Sequence, residues 1–95
     1  MPTPLSFAHG RRADGTPVLT AIGEIDMSNA KTFAAELDRD SGPLVVDLVG
    51  VEYLDSAGLS LLLQHADRLE LIATSLLEPV LELSGLAELT TIHRA

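Results

Sequence analysis

The spacing of apolar positions along the chain changes period several times, and each change marks an element. Leu5 to Arg11 alternates over a short stretch and predicts a strand. Asp14-Gly15 is a strong turn signal, and residues 17–23 (PVLTAIG) predict a second strand, so the two form a hairpin. Arg11, Arg12 and Thr16 around that turn suit an exposed edge, where charge discourages pairing with another chain. From Ser28 onward, Ala30, Phe33, Ala34 and Leu37 recur at helical spacing, with Ser28 as N-cap and Ser41-Gly42-Pro43 as the stop. Residues 44–51 (LVVDLVGV) are apolar except for Asp47, the pattern of a central strand covered by layers on both sides.

A helix is predicted over 55–68, opening at Asp55 or Ser56, with Leu59, Leu62, Leu63 and Ala66 facing inward. Leu69 to Thr74 predicts a strand, Leu76 to Ser84 a helix stopped by Gly85, and Leu89 to His93 a last strand. The order β-β-α-β-α-β-α-β predicts one small α/β domain spanning residues 1–95, with a mixed, mostly parallel sheet and short helices.

Composition narrows the functional classes. At 95 residues and 46% hydrophobic, the chain suits a single folded core. Its net charge of −8 repels nucleic-acid backbones and anionic membranes and leaves a protein partner with a basic or mixed face open. No cysteine is present, which removes disulfides, thiolate metal sites and thiol nucleophiles. No signal-peptide pattern and no long apolar run occurs, so the expected location is the cytoplasm, without membrane insertion.

Candidate chemistry is sparse. His9, His65 and His93 share no metal-ligand spacing and read as structural or surface residues. Ser28 and Lys31 match a serine–lysine acyl-transfer spacing, but the further motifs such enzymes need are missing. No glycine-rich phosphate loop exists. Glu24, Asp26 and Asp55 lie near ends of predicted parallel strands and are expected on one side of the sheet, with too little chain around them for a hydrolase pocket. No complete catalytic set can be assembled, and neither enzymatic activity nor a cofactor or metal is expected.

The informative segment is Glu52-Tyr53-Leu54-Asp55-Ser56-Ala57-Gly58-Leu59, where a loop leaves the central strand and opens a helix. Ser56 there is open to two readings, helix cap or exposed hydroxyl able to carry a phosphoryl group beside the amides of the first turn. No lysine or arginine lies within the loop, so a phosphate added beside Glu52, Asp55 and Asp26 repels them. A modification there works as a release switch, and its kinase must come from outside.

Gly23-Glu24-Ile25-Asp26, residues 45–48 (VVDL), Asp55-Ser56-Ala57-Gly58-Leu59 and residues 81–86 (LELSGL) together resemble the STAS domain, and more narrowly the bacterial anti-sigma factor antagonists. The motifs fall in the family's order over nearly the whole chain. The resemblance implies a STAS-like fold and a regulatory binding role. It makes Ser56 the phosphoacceptor and implies as partners a serine-kinase anti-sigma factor, which carries the ATP and magnesium, and a serine phosphatase. The unphosphorylated form binds the kinase and frees the sigma factor, and phosphorylation ends that complex. Glu24, Asp26, Ser28, Tyr53, Asp55, Ser56, Ala57, Gly58 and Leu59 form the implied partner surface, while Asp47 is expected to order the adjacent loop and not to contact a partner. The helix after Ser56 is shorter than is usual in the family, and no further helix follows Ile92, which predicts a reduced helical layer. A STAS subunit regulating a membrane transporter or lipid-transport ATPase needs the same fold without the hydroxyl, and the apolar run at 59–63 suits it.

Overall fold

The computed structural model describes residues 3–95; residues 1–2, which belong to the predicted 1–95 domain, lie outside the described part. Strand β1 (Ser6–Arg11) turns through Gly15 into β2 (Pro17–Ile25), followed by α1 (Ala30–Leu37) and β3 (Leu44–Leu54). Helix α2 (Ser56–His65) ends in a 3-10 turn at Ala66–Arg68 that feeds β4 (Leu69–Ala73), and α3 (Glu78–Leu83), α4 (Leu86–Leu89) and β5 (Thr91–Arg94) complete the chain. The sheet runs β1-β2-β3-β4-β5, with β1 antiparallel at one edge and every other pair parallel. The mixed, mostly parallel α/β fold and the edge hairpin predicted from the sequence are therefore present.

Because neighbouring strands follow each other in sequence, right-handed crossovers all return on one side of the sheet. Leu19, Ala21, Ile25, Val46, Leu48 and Leu71 are buried there with Phe33, Leu37, Leu62, Leu81 and Leu86 of the helices. The alternate positions Val18, Thr20, Ile22, Asp47, Val49 and Ile72 are exposed or half-exposed. The layers expected on both sides of β3 thus reduce to one. Val45 is the exception on the open face. Its register sets it between Val18 and Glu70, and Arg12 reaches Glu70 at 2.6 Å from beyond β2. The guanidinium holds the Glu70 carboxyl below the ordinary glutamate range, with His93 adding to the effect.

Four boundaries differ from the sequence reading. Strands β2 and β3 continue to Ile25 and Leu54, past the predicted 23 and 51, because irregularities in the β2–β3 register let Glu24 pair with Tyr53 and Ile25 with Leu54. Asp47 accepts the Val49 N–H at 2.9 Å at the first irregularity, a bond within β3 itself and not in the adjacent loop it was expected to order. Gly85, at φ +84°, ends α3 as predicted and is followed by a further short helix, α4, that buries Leu86 and delays the last strand from Leu89 to Thr91. The helix after Ser56 is ten residues long, with the predicted last turn drawn into the tighter 3-10 form.

Candidate functional site

Strands β2 and β3 are parallel, so both finish at the same end of the sheet, and the turns that follow them meet there. Asp55 is the residue that joins them. Its backbone N–H donates to the Ile25 carbonyl at 3.1 Å, extending the ladder by one bond. Its carboxylate caps α2, accepting from the amides of Ala57 at 3.0 Å and Gly58 at 3.2 Å. The other oxygen accepts from the Met27 amide at 3.1 Å. The α2 cap is therefore Asp55, and Ser56 takes the first helical position, exposed. No capping bond requires its hydroxyl. Gly58 is buried one turn on, where a Cβ would stand 2.6 Å from both Ile25 Cγ2 and Leu54 Cδ1. That glycine lets the start of α2 settle directly on the ends of β2 and β3.

The turn before α1 is held by a second aspartate. Asp26 Oδ1 accepts from the Ser28 amide at 2.8 Å and from the Ser28 hydroxyl. These bonds favour the carboxylate and lower its pKa below the usual aspartate range, the hydroxyl contributing most. Ser28 is thus committed to Asp26 and does not cap α1 as expected; Asn29 stands at the N-cap without a side-chain cap bond. The Asn29 side chain instead accepts from Asp26 N at 2.9 Å and donates to Glu24 O at 2.8 Å. The Ser28–Lys31 spacing has no acyl-transfer meaning in this arrangement.

The three acids expected together divide into two groups. Asp26 and Asp55 serve the turns at Met27 and Ser56. Glu24 is half-buried and accepts from the Thr3 amide at 3.1 Å, while the Thr3 hydroxyl donates to Glu52 at 2.8 Å. The segment at Thr3–Pro4 can lie this close only because residue 23 is glycine: its φ is +109°, and a Cβ would meet the Pro4 carbonyl oxygen at 2.3 Å. Tyr53, opposite Glu24 in register, is exposed; Ala57 and Leu59 are half-buried, and Leu59 packs on the core. Sequence reasoning passed over Met27, which is 80% exposed and whose backbone N–H donates to Asp55, the cap of α2. An unpaired methionine in a polar turn, outside both the strand and the helix period, was the signal available.

Around Ser56 the electrostatics are one-sided. Among the described residues no ion pair involves Asp26, Glu52 or Asp55. The histidines stand apart from this end and from one another, each against its own acid: His9 with Glu36, His65 with Asp38, His93 with Glu70. A cavity of about 410 Å³ lies at the opposite end of the sheet, lined in part by His9, Arg11, Glu36, Arg39 and Leu44, and reaches none of the acids beside Ser56. No group of histidine and acidic side chains with metal-binding geometry occurs among the described residues, and no described helix is long and apolar enough to cross a membrane.

A sheet covered on one face, with a capped helix presenting an exposed serine at the exit of its central strand, defines a small α/β domain with a helix-capped loop as its candidate surface. The family model described as "Mlab, STAS domain" matches residues 8–92, and the chain belongs to the STAS family. Domains of this family are regulatory and non-catalytic. No curated protein matches the chain. Among solved structures it is similar to an anti-sigma factor antagonist from Mycobacterium paratuberculosis, with 25% identity, a TM-score of 0.84, and coverage of 98% of this chain and 88% of that one. The anti-sigma factor antagonist SpoIIAA, in its unphosphorylated form, shares the fold at 17% identity and a TM-score of 0.74, over 95% of this chain and 88% of that one.

Proposed function

We propose that the protein is an anti-sigma factor antagonist whose binding is switched by phosphorylation of Ser56. The observation that carries this reading is the division of labour at α2: Asp55 performs the capping, so the Ser56 hydroxyl is exposed and uncommitted. The unmodified surface made by Glu24, Asp26, Ser28, Tyr53 and residues 55–59 binds a serine-kinase anti-sigma factor and frees its sigma factor. A phosphate on Ser56 brings a charge of about −2 beside Asp26, Glu52 and Asp55 and ends the complex. A serine phosphatase restores the binding form. Likeness to the Mycobacterium antagonist, at nearly full coverage, supports the choice of partner class.

The test is intact mass after incubation with ATP, magnesium and each candidate anti-sigma kinase of the host. Gain of one phosphate, lost in Ser56→Ala, supports the reading. A second reading, a regulatory subunit of a membrane transporter, is favoured by the incomplete burial of Leu59, Leu61 and Leu63 on α2. No phosphate gain, with co-purification of a transporter ATPase subunit, selects it.

A further inference from the structure

Thr3 stands on the β1 side of β2 and binds two acids from different strands. Beyond the last β1–β2 pair, Ser6 with Ile22, the chain keeps to the edge of β2, and the Thr3 carbonyl accepts the Glu24 N–H at 3.2 Å. The Thr3 amide donates to Glu24 Oε2 at 3.1 Å, and its hydroxyl donates to Glu52 Oε2 at 2.8 Å. Glu52 belongs to β3, so the hydroxyl bond passes over β2 and ties the edge to the central strand. Gly23 permits the approach, since a Cβ there would meet the Pro4 carbonyl oxygen at 2.3 Å and that of Thr3 at 3.1 Å. Leu5, packed on the core, anchors the segment from behind.

Closing the edge needs only the backbone bond to Glu24 N. The hydroxyl bond does something else: it reaches an exposed glutamate on another strand and fixes where its charge stands. Neither Glu24 nor Glu52 takes part in an ion pair among the described residues. Each gives Thr3 its Oε2, and among the described residues neither Oε1 accepts a hydrogen bond. Two like charges left free turn away from each other into water. Thr3 carries no charge, so it holds the pair together without neutralising it. The pair also borders the Ser56 loop: Glu24 lies opposite Tyr53 in register, and Ile25, the next residue, receives the Asp55 amide.

We infer that Thr3 is a positioning residue for partner recognition, presenting Glu24 and Glu52 as a fixed pair of carboxylates to a lysine or arginine of the partner. The cationic side chain donates to the open Oε1 atoms. A pair already in place spares the complex the ordering of two glutamate side chains. The inference deepens the anti-sigma reading and rests on it for the partner's identity.

Thr3→Val removes the hydroxyl and keeps the shape, Thr3→Ser keeps the hydroxyl, and Glu52→Gln removes the charge while leaving an acceptor. Calorimetry with the purified anti-sigma kinase is expected to show Thr3→Val binding about three- to fivefold more weakly, with the loss shrinking as salt rises. Thr3→Ser is expected to bind as wild type. In a Glu52→Gln background Thr3→Val is expected to cost little further, a coupling that a purely structural threonine would not show. Carbon-detected NMR of the free chain is expected to show the Glu52 carboxyl signal moved in Thr3→Val and that of Asp26 in place. Thr3→Val binding as tightly as wild type or more so, Thr3→Ser as weak as Thr3→Val, an equal loss in both backgrounds, or an unmoved Glu52 signal overturns the inference while the Ser56 reading stands. A wild-type chain that binds no anti-sigma kinase overturns the reading and the inference together.

Discussion

The Asp55 carboxylate accepts the Met27 backbone N–H at 3.1 Å while its second oxygen caps α2. One side chain thereby fastens the turn after β2 to the helix after β3, and fixes the loop on which Ser56 stands. Removing it leaves three amides without their acceptor. Asp55→Ala is expected to cost about 1–3 kcal/mol in urea unfolding. Ser56→Ala, at a position with no capping duty, is expected to change stability by less than about 0.5 kcal/mol. Equal costs for the two would reassign the cap.

Gly58 tests how closely α2 sits on the strand ends. Alanine there places a methyl 2.6 Å from Ile25 Cγ2 and Leu54 Cδ1. Overpacking of this kind costs about 1–3 kcal/mol, and thermal unfolding of Gly58→Ala is expected to show it together with amide shifts at Ile25, Leu54 and Ser56. A stability equal to wild type means that the helix is free to shift away.

The Asp26–Ser28 turn has a defined acid response. Asp26 has its pKa lowered by Ser28, so its bonds contribute stability above the unfolded aspartate pKa of about 3.9, lost as pH falls through the lower folded value. Carbon-detected NMR titration is expected to place Asp26 below that reference, and Ser28→Ala to move it upward. An unchanged midpoint in Ser28→Ala shows that the hydroxyl is not the cause.

Charge at Ser56 is expected to act on binding rather than on folding. Ser56→Asp should weaken association with the anti-sigma kinase by about tenfold or more, equivalent to about 1.4 kcal/mol, whereas Ser56→Ala should bind as wild type and take no phosphate. Calorimetry with the purified pair measures both. Undiminished affinity in Ser56→Asp counts against release by like-charge repulsion.

The accuracy of the sequence reading followed the range of the forces involved. Alternation in 17–23 and the 3.6-residue recurrence of Ala30, Phe33, Ala34 and Leu37 are local patterns, and they located β2 and α1 correctly. The continuous apolar run at 44–51 gave the strand but implied cover on both faces, because Val45 and Val49 look like core residues until the strand order is known. Ser28 is an equally local misreading. A serine before a helical period is a good cap, but here Asp26 competes for its hydroxyl.

By itself the sequence determined the fold class, the edge hairpin, the acidic field and the one loop where a serine opens a helix, since each depends on side-chain period, turn chemistry or net charge. Tertiary structure alone decided that the helices share one face, that Asp55 rather than Ser56 caps α2, and that Glu24 turns to Thr3. Those outcomes depend on which strand ends and helix flanks become neighbours, and the chain order states that only after the sheet has closed.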